Sequence, residues 1–337
     1  MDKPYPPVEY QQYLDLARLL ASQHPKSDEY GRPAHDELLF IVVHQVYELW
    51  FKQILHELDS VVGLFQQDSV DERKIGVAVS RLNRVTEIQK LLVDQLRVLE
   101  TMTPLDFLDF RDMLLPASGF QSRQFRTIEN RLGVRRDQPS LFDLVEKWLE
   151  RTPFLELPGF QFWASYRAAV ETMLADDRRT IETHPALTPE ERGVQLAELD
   201  RTRASFEALL DEPTHERLRA EGSRRLSHRA TLAALLIHLY RDQPILHLPF
   251  QFLTLLVDVD ELLATWRYRH ALMVHRMIGT KIGTGGSSGH HYLMGTVERN
   301  KVFADLFNLS TFLIPRSALP DLPPDLERRL GFYFPRE

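Results

Sequence analysis

The chain has 337 residues, 43% of them hydrophobic and 26% charged, which suits a folded protein with a large core. Its 48 acidic and 41 basic side chains leave a net charge of −7, so neither nucleic acid nor an anionic membrane surface is the expected partner. There is no cysteine, which excludes disulfides, thiolate catalysis and Cys-held zinc or iron–sulfur centres.

The N-terminal "MDKPYPPVEY" has neither a basic leader nor an apolar core, so no signal peptide is expected and the chain reads as cytoplasmic. No apolar run approaches about 20 residues, so no membrane span is expected either. The first strong helical pattern lies in "HDELLFIVVHQVYELWFKQILHELDS", residues 35–60, where Leu39, Val42, Val43, Val46, Leu49, Trp50, Ile54 and Leu58 recur at three and four. Asp36 is placed to cap it. Phe40, His44 and Glu48 fall at i, i+4 and i+8 and share a face, and His44 interrupts an apolar run. Such a histidine is either a satisfied core residue or a functional one, and spacing alone does not decide.

A second helix is expected from about Glu72 to Glu100 and a third over Pro104–Leu115, ended by Pro116. Arg111 sits there among Phe107, Phe110 and Leu114, in a segment apolar enough that its guanidinium needs an anion. An internal salt bridge and a bound carboxylate satisfy that need equally. The following "PASGF" breaks the helix and should leave backbone N–H groups near Ser118. Helices near 140–150, 160–176, 189–211, 226–241 and 246–278 follow, and strand-like alternation is scarce. Residues 177–223 are charged and apolar-poor, and read as a solvated helical excursion.

The last long helix carries "TWRYRHALMVHRMIG". His270 shares a face with Trp266, Met273, Val274 and Met277, whereas His275 points elsewhere. His270 is either a core histidine bonded to a carbonyl or a neutral imidazole ligating a metal or haem iron. One Glu-x-x-His pair occurs, Glu212–His215, where the dimetal bundles carry two. Six of the 15 glycines then fall between Gly279 and Gly295, around "GTGGSSGHH". The segment follows a helix rather than a strand, and Lys281 precedes the glycines, so the nucleotide-binding patterns fail on context. A loop over a small amphoteric ligand, with Thr284 as a hydroxyl partner, is left open. The whole reads as one all-α domain with a helical insertion and a Pro-rich C-terminal tail.

Taken together, these stretches resemble the tryptophan 2,3-dioxygenase family of haem enzymes. The likeness lies in "HDELLFIVVHQVYELWFKQILHELDSV", "LETMTPLDFLDFRDMLLPASGFQSRQFR", "WLERTPFLELPGFQFW", "RRLSHRATLAALLI", "WRYRHALMVHRMIGTKIGTGGSSGHHYL" and "KVFADLFNLSTFLIPR", and runs from about Tyr10 to Arg316. It implies a helical homotetramer, a dimer of dimers, with an N-terminal arm over residues 1–35 that reaches a neighbouring subunit. It further implies a haem-binding catalytic region over 36–316 and a tail over 317–337. The implied cofactor is haem b, active as Fe2+, and the implied chemistry is addition of O2 to L-tryptophan to give N-formylkynurenine. Residue by residue, His270 matches the proximal iron ligand and His44 the distal histidine that bonds the indole N–H. Phe40 matches the aromatic packed on the indole, and Arg111 the clamp on the substrate carboxylate. Thr284 matches the residue at the ammonium and carboxylate end. Tyr10 and Tyr13 match tyrosines lent to the neighbouring site, and Phe107, Leu114 and Ser118 other pocket positions. Gly283, Gly285, Gly286 and Ser287 become a lid over the substrate. Three positions depart from the family habit: Gln11 where glycine follows the first tyrosine, Met294 where arginine follows "HYL", and His290 where tyrosine or an aliphatic residue is common. Two alternatives accompany these expectations: a haem monooxygenase acting on a modified tryptophan such as β-methyltryptophan, and a haem- and tryptophan-binding sensor without turnover.

Overall fold

The computed structural model describes residues 5–67, 69–135, 139–152, 162–281 and 289–331. Among them are sixteen α-helices and no strand, as the helical periodicity predicts. Three short helices open the chain: α1 (Tyr10–Tyr13), α2 (Leu16–Leu20) and α3 (Lys26–Glu29). Then come α4 (His35–Phe65), α5 (Glu72–Leu99), α6 (Pro104–Arg111), α7 (Arg123–Leu132) and α8 (Leu141–Glu150). The charged region supplies the last two turns of α9 (Phe162–Thr183) and all of α10 (Pro189–Leu210) and α11 (Glu212–Ala220). The chain continues with α12 (His228–Leu239), α13 (Pro244–Ile278), α14 (Gly289–Arg299), α15 (Ala304–Asn308) and α16 (Pro324–Leu330).

Local chemistry accounts for the helix ends. Thr103 starts α6 through a capping box: its hydroxyl accepts the Asp106 N–H, the Asp106 carboxylate accepts the Thr103 N–H at 3.0 Å, and Pro104 fits the first turn. Ser140 with Asp143 and Thr188 with Glu191 do the same for α8 and α10. Helix α4 begins at His35, so Asp36 lies inside the first turn, where it complements the helix dipole, rather than at the cap. The neighbouring Glu37 is buried and accepts the backbone N–H groups of Lys26 and Ser27 at 2.8 Å each, tying α3 to the start of α4. Taken as an unbroken 31-residue helix, α4 contains an 18-residue window of mean hydropathy 1.3, apolar enough by length and composition to cross a membrane. Along the helix Val43, Tyr47, Phe51, Ile54, Leu58 and Val61 are buried, while Leu38, Val42 and Leu49 are exposed, and 22% of that window lies inside.

The chain divides into two compact units. The first takes Met1–Leu55, Glu87–Ile128 and Leu262–Asn300. Its core is built from Val43, Tyr47, Phe51, Leu92, Leu96, Phe110, Ala271 and Met273. Polar ties set the register of its helices: Tyr47 Oη donates to Leu92 O at 2.8 Å, Gln95 Nε2 to Val43 O at 3.0 Å, and Gln124 Nε2 to Glu48 O at 2.8 Å. The second unit takes His56–Thr86, Glu129–Glu261 and Lys301–Glu337. Helix α12 is its most buried element, with nine of its residues inside, from Ala230 to Leu239. Phe65 and Phe252 stack at 4.8 Å and Trp148 stands edge-on to both. Its buried charges are paired: Asp260 accepts the N–H groups of Val302 and Phe303 at 2.8 and 2.9 Å, and Arg84 donates to buried Glu57 at 2.8 Å.

Candidate functional site

Every described site residue singled out from the sequence belongs to the first unit. On α4, one turn of helix brings Phe40 and His44 together, with ring centroids 4.1 Å apart. His44 Nδ1 lies 2.7 Å from Phe40 O. A carbonyl only accepts, so this contact assigns the proton to Nδ1 and leaves the Nε2 lone pair for another donor. Burial lowers the pKa of His44 from the usual 6.5, against the opposing pull of the Phe40 carbonyl and Glu48, so the ring is neutral at pH 7.

Helix α6 packs against this pair. Phe107 and Phe110 lie 5.7 and 5.6 Å from Phe40, and 5.5 Å from each other, edge to face. Phe110 is fully buried and completes a three-phenylalanine wall. Arg111, the last residue of α6, is half-buried beside it. The helix stops there, earlier than the expected Leu115, because Asp112–Leu114 tighten into a 3-10 turn that holds Leu114 half-buried. The expected free N–H groups near Ser118 are partly used. Ser118 Oγ accepts the Phe120 N–H at 3.3 Å, and the Gln121 side chain accepts the Ser118 N–H at 3.4 Å.

From α13, His270 enters the same unit half-buried. Desolvation, followed by the nearby His44, pushes its pKa down to about 4, so it too is neutral at pH 7. Its ring lies on Trp266 one turn earlier, centroids 5.1 Å apart and planes within 10°. Its Nδ1 is buried with no hydrogen-bond partner among the described residues. Trp266 in turn meets Tyr47 edge-on at 6.0 Å and Phe125 at 5.1 Å. The sequence placed Trp266 and His270 on one face, but not Tyr47, Phe110 or Phe125 against the site. Phe110 had been noted beside Arg111, and the prior signal for Tyr47 and Phe125 was membership of the same long motifs.

Among the described residues no group of three His, Asp or Glu side chains converges as a metal cage. A neutral imidazole in apolar surroundings, such as that of His270, suits an iron whose other positions are filled by a macrocycle rather than a protein-only site. Tyr10 and Tyr13 stand 73% and 76% exposed on α1, apart from the phenylalanine wall. Gly283, Thr284, Gly285, Gly286 and Ser287 lie outside the described residues. At the two edges of that segment, His275 and His290 meet with ring centroids 4.4 Å apart.

Comparisons with known proteins give the family of the chain. A family model described as Tryptophan 2,3-dioxygenase matches residues 5–139 and 136–313. The tryptophan 2,3-dioxygenase of Bdellovibrio bacteriovorus is 55% identical over 98% of this chain and 99% of its own length. That of Alteromonas mediterranea is 49% identical over 99% of each chain, and that of Dictyostelium discoideum 46% identical over 96% of this chain and 88% of its own. With identity at this level along almost the full length, the chain belongs to the tryptophan 2,3-dioxygenase family.

Proposed function

We propose that this chain uses O2 to open the indole ring of L-tryptophan, giving N-formylkynurenine, with haem b held by His270. The observation that carries this reading is the meeting, in a unit that also carries His270, of a neutral distal histidine, a phenylalanine wall and an arginine at its edge. The family relationship supports it, since relatives along nearly the whole chain are named for that reaction. The reaction balances without an external reductant: the C2–C3 bond breaks and both oxygen atoms of O2 end in the product, as one ketone and one formyl group.

The chain's own residues have distinct tasks. His44 presents its Nε2 lone pair, because Nδ1–H is committed to Phe40 O, and so accepts the indole N–H. It orients the ring rather than removing its proton, which fits an imidazole whose basicity burial has lowered. Phe40, Phe107 and Leu114 form an apolar surface for the flat ring and keep water from it. Arg111 offers its planar fork to the carboxylate, and Thr284 a hydroxyl to the amino-acid end. Ser118 lines the same region, and the glycines at 283, 285 and 286 with Ser287 form the lid whose backbone can approach the substrate closely. His270 holds the iron as a neutral imidazole, and bound haem supplies the ferrous iron that activates O2.

The exposure of Tyr10 and Tyr13 supports an arm over residues 1–35 that completes a neighbouring subunit's site in a homotetramer, with a catalytic region over 36–316 and a tail beyond it. We further assign the protein to the cytoplasm. Mass spectrometry of the product from ferrous holoenzyme, L-tryptophan and labelled O2 tests the chemistry. Two labelled oxygens in an opened ring are expected. One labelled oxygen in an intact ring would convert the assignment to a monooxygenase, and a perturbed haem spectrum without product to a sensor.

A further inference from the structure

A histidine that ligates a metal ordinarily donates its second ring N–H to a carbonyl, carboxylate or water. That bond fixes the tautomer and the ring plane, and makes the ligand a stronger donor. Other histidines of this chain follow the habit even without a metal. His44 and His238 bond through Nδ1 to the carbonyl four residues back, Phe40 O at 2.7 Å and Ala234 O at 2.8 Å. His215 and His228 each bond through Nε2 to a carbonyl at 3.0 Å, those of Leu226 and Leu209.

His270 stands on a helix just as His44 and His238 do, yet its buried Nδ1 has no such partner among the described residues. Its ring is instead laid on the indole of Trp266, 5.1 Å away and within 10° of parallel. The indole is itself immobilised. Phe125 and Tyr47 press on it from α7 and α4, Phe51 touches both of those rings at 5.5 and 6.0 Å, and Tyr47 is pinned by its bond to Leu92 O. A flat surface so braced can select one ring plane as a hydrogen bond would, but withdraws no proton density from Nδ1–H.

We propose that Trp266 is a positioning residue: its stacked indole sets the plane of the His270 imidazole in place of an acceptor on Nδ1, and keeps that imidazole a neutral, moderate donor. This rests on His270 being the haem ligand. Its chemical consequence concerns the iron, because a ligand without an Nδ1 acceptor stabilises the ferric state less and so favours the ferrous state that takes O2.

Resonance Raman of ferrous holoenzyme gives the first measurement, on the wild type. The iron–imidazole stretch should fall where neutral imidazole ligands lie; a stretch in the imidazolate range would reveal an acceptor on Nδ1 and overturn the proposal. Variants give the second. Trp266→Phe, which keeps a stacking ring, should retain the wild-type line and midpoint potential. Trp266→Leu should keep its helical content but show a broadened iron–imidazole line, a shifted potential and haem loss about two- to tenfold faster, the worth of one aromatic stack. Should the leucine variant fail to fold, Trp266→Met, with more volume but no flat ring, takes its place. A haem-loaded leucine or methionine variant with the wild-type line and potential would mean that Trp266 only fills space. His270→Ala separates the two levels: if it keeps stoichiometric haem with an unchanged Soret band, the ligand assignment itself fails. If haem is lost there while the Trp266 variants match wild type, only the stacking role fails.

Discussion

Two histidines with buried ring nitrogens show how differently the two units use the same side chain. His215, in the second unit, is 0% exposed and both ring nitrogens are occupied, Nε2 by Leu226 O and Nδ1 by Arg224 at 3.4 Å. His270, in the first, has a buried Nδ1 that no described residue satisfies. Burial lowers the pKa of both. A neutral imidazole with all its bonds made is a structural pin, joining the segment before α12 to α11. One with an unmade bond costs stability, and persists where another task requires it. The difference separates fold from function more sharply than burial does, since His215 is the more buried of the two.

The strongest way to break this comparison is to delete each ring. His270→Ala should abolish haem binding, read by the Soret band, with circular dichroism unchanged. His215→Ala should do the reverse: haem is retained in folded molecules, while the urea midpoint reports a loss of about 2–4 kcal/mol from a broken buried network. Equal haem loss in both variants would erase the distinction.

Next in size is Arg111→Ala. Removing a charge-assisted clamp should lower kcat/KM by about 2–4 kcal/mol, carried mainly in KM. An unchanged KM would mean that the guanidinium serves an internal ion pair. His44→Ala should be milder. Turnover slows but does not vanish, by less than the factor of about 10²–10⁴ that loss of a general base brings. Complete loss with normal substrate binding would require an obligatory base at this position.

The smallest effect sharpens the comparison through pH. His44, His215, His238 and His270 all have lowered pKa values when folded, chiefly through burial. Above about 6.5 they are neutral in both states. As pH falls below that value the unfolded chain takes up protons that the folded one resists, so stability declines through the window down to about 4 set by His270. The capping carboxylates of Asp106, Glu191 and Asp211, held below their usual values by hydrogen bonds, lose their contribution only at lower pH. The urea midpoint of the haem-free protein should therefore drop between pH 7 and pH 5, and less so in a His238→Leu variant. A midpoint flat across that interval would contradict the burial of these rings.

Much of the site was legible in advance where one helix carries it. The pairs Phe40–His44 and Trp266–His270 are each one turn apart, so the helical repeat alone places them together. The course of α5 and the start of α6 at Pro104 were equally readable from apolar spacing. The C-terminal end of α6 was not, because Pro116 limits the helix without showing that the chain tightens from Asp112 onward.

By itself, then, the order of residues determined the all-α class, the helix faces, the neutral character expected of histidines on apolar stripes, and the family motifs. Only the tertiary structure decided that α6 sets Phe107 and Phe110 against Phe40, that Tyr47 and Phe125 brace Trp266, and which histidines find a carbonyl. The physical reason is range. A 3.6-residue repeat dictates neighbours within two turns, whereas contacts between distant helices depend on how whole apolar faces interlock, and no local pattern encodes that choice.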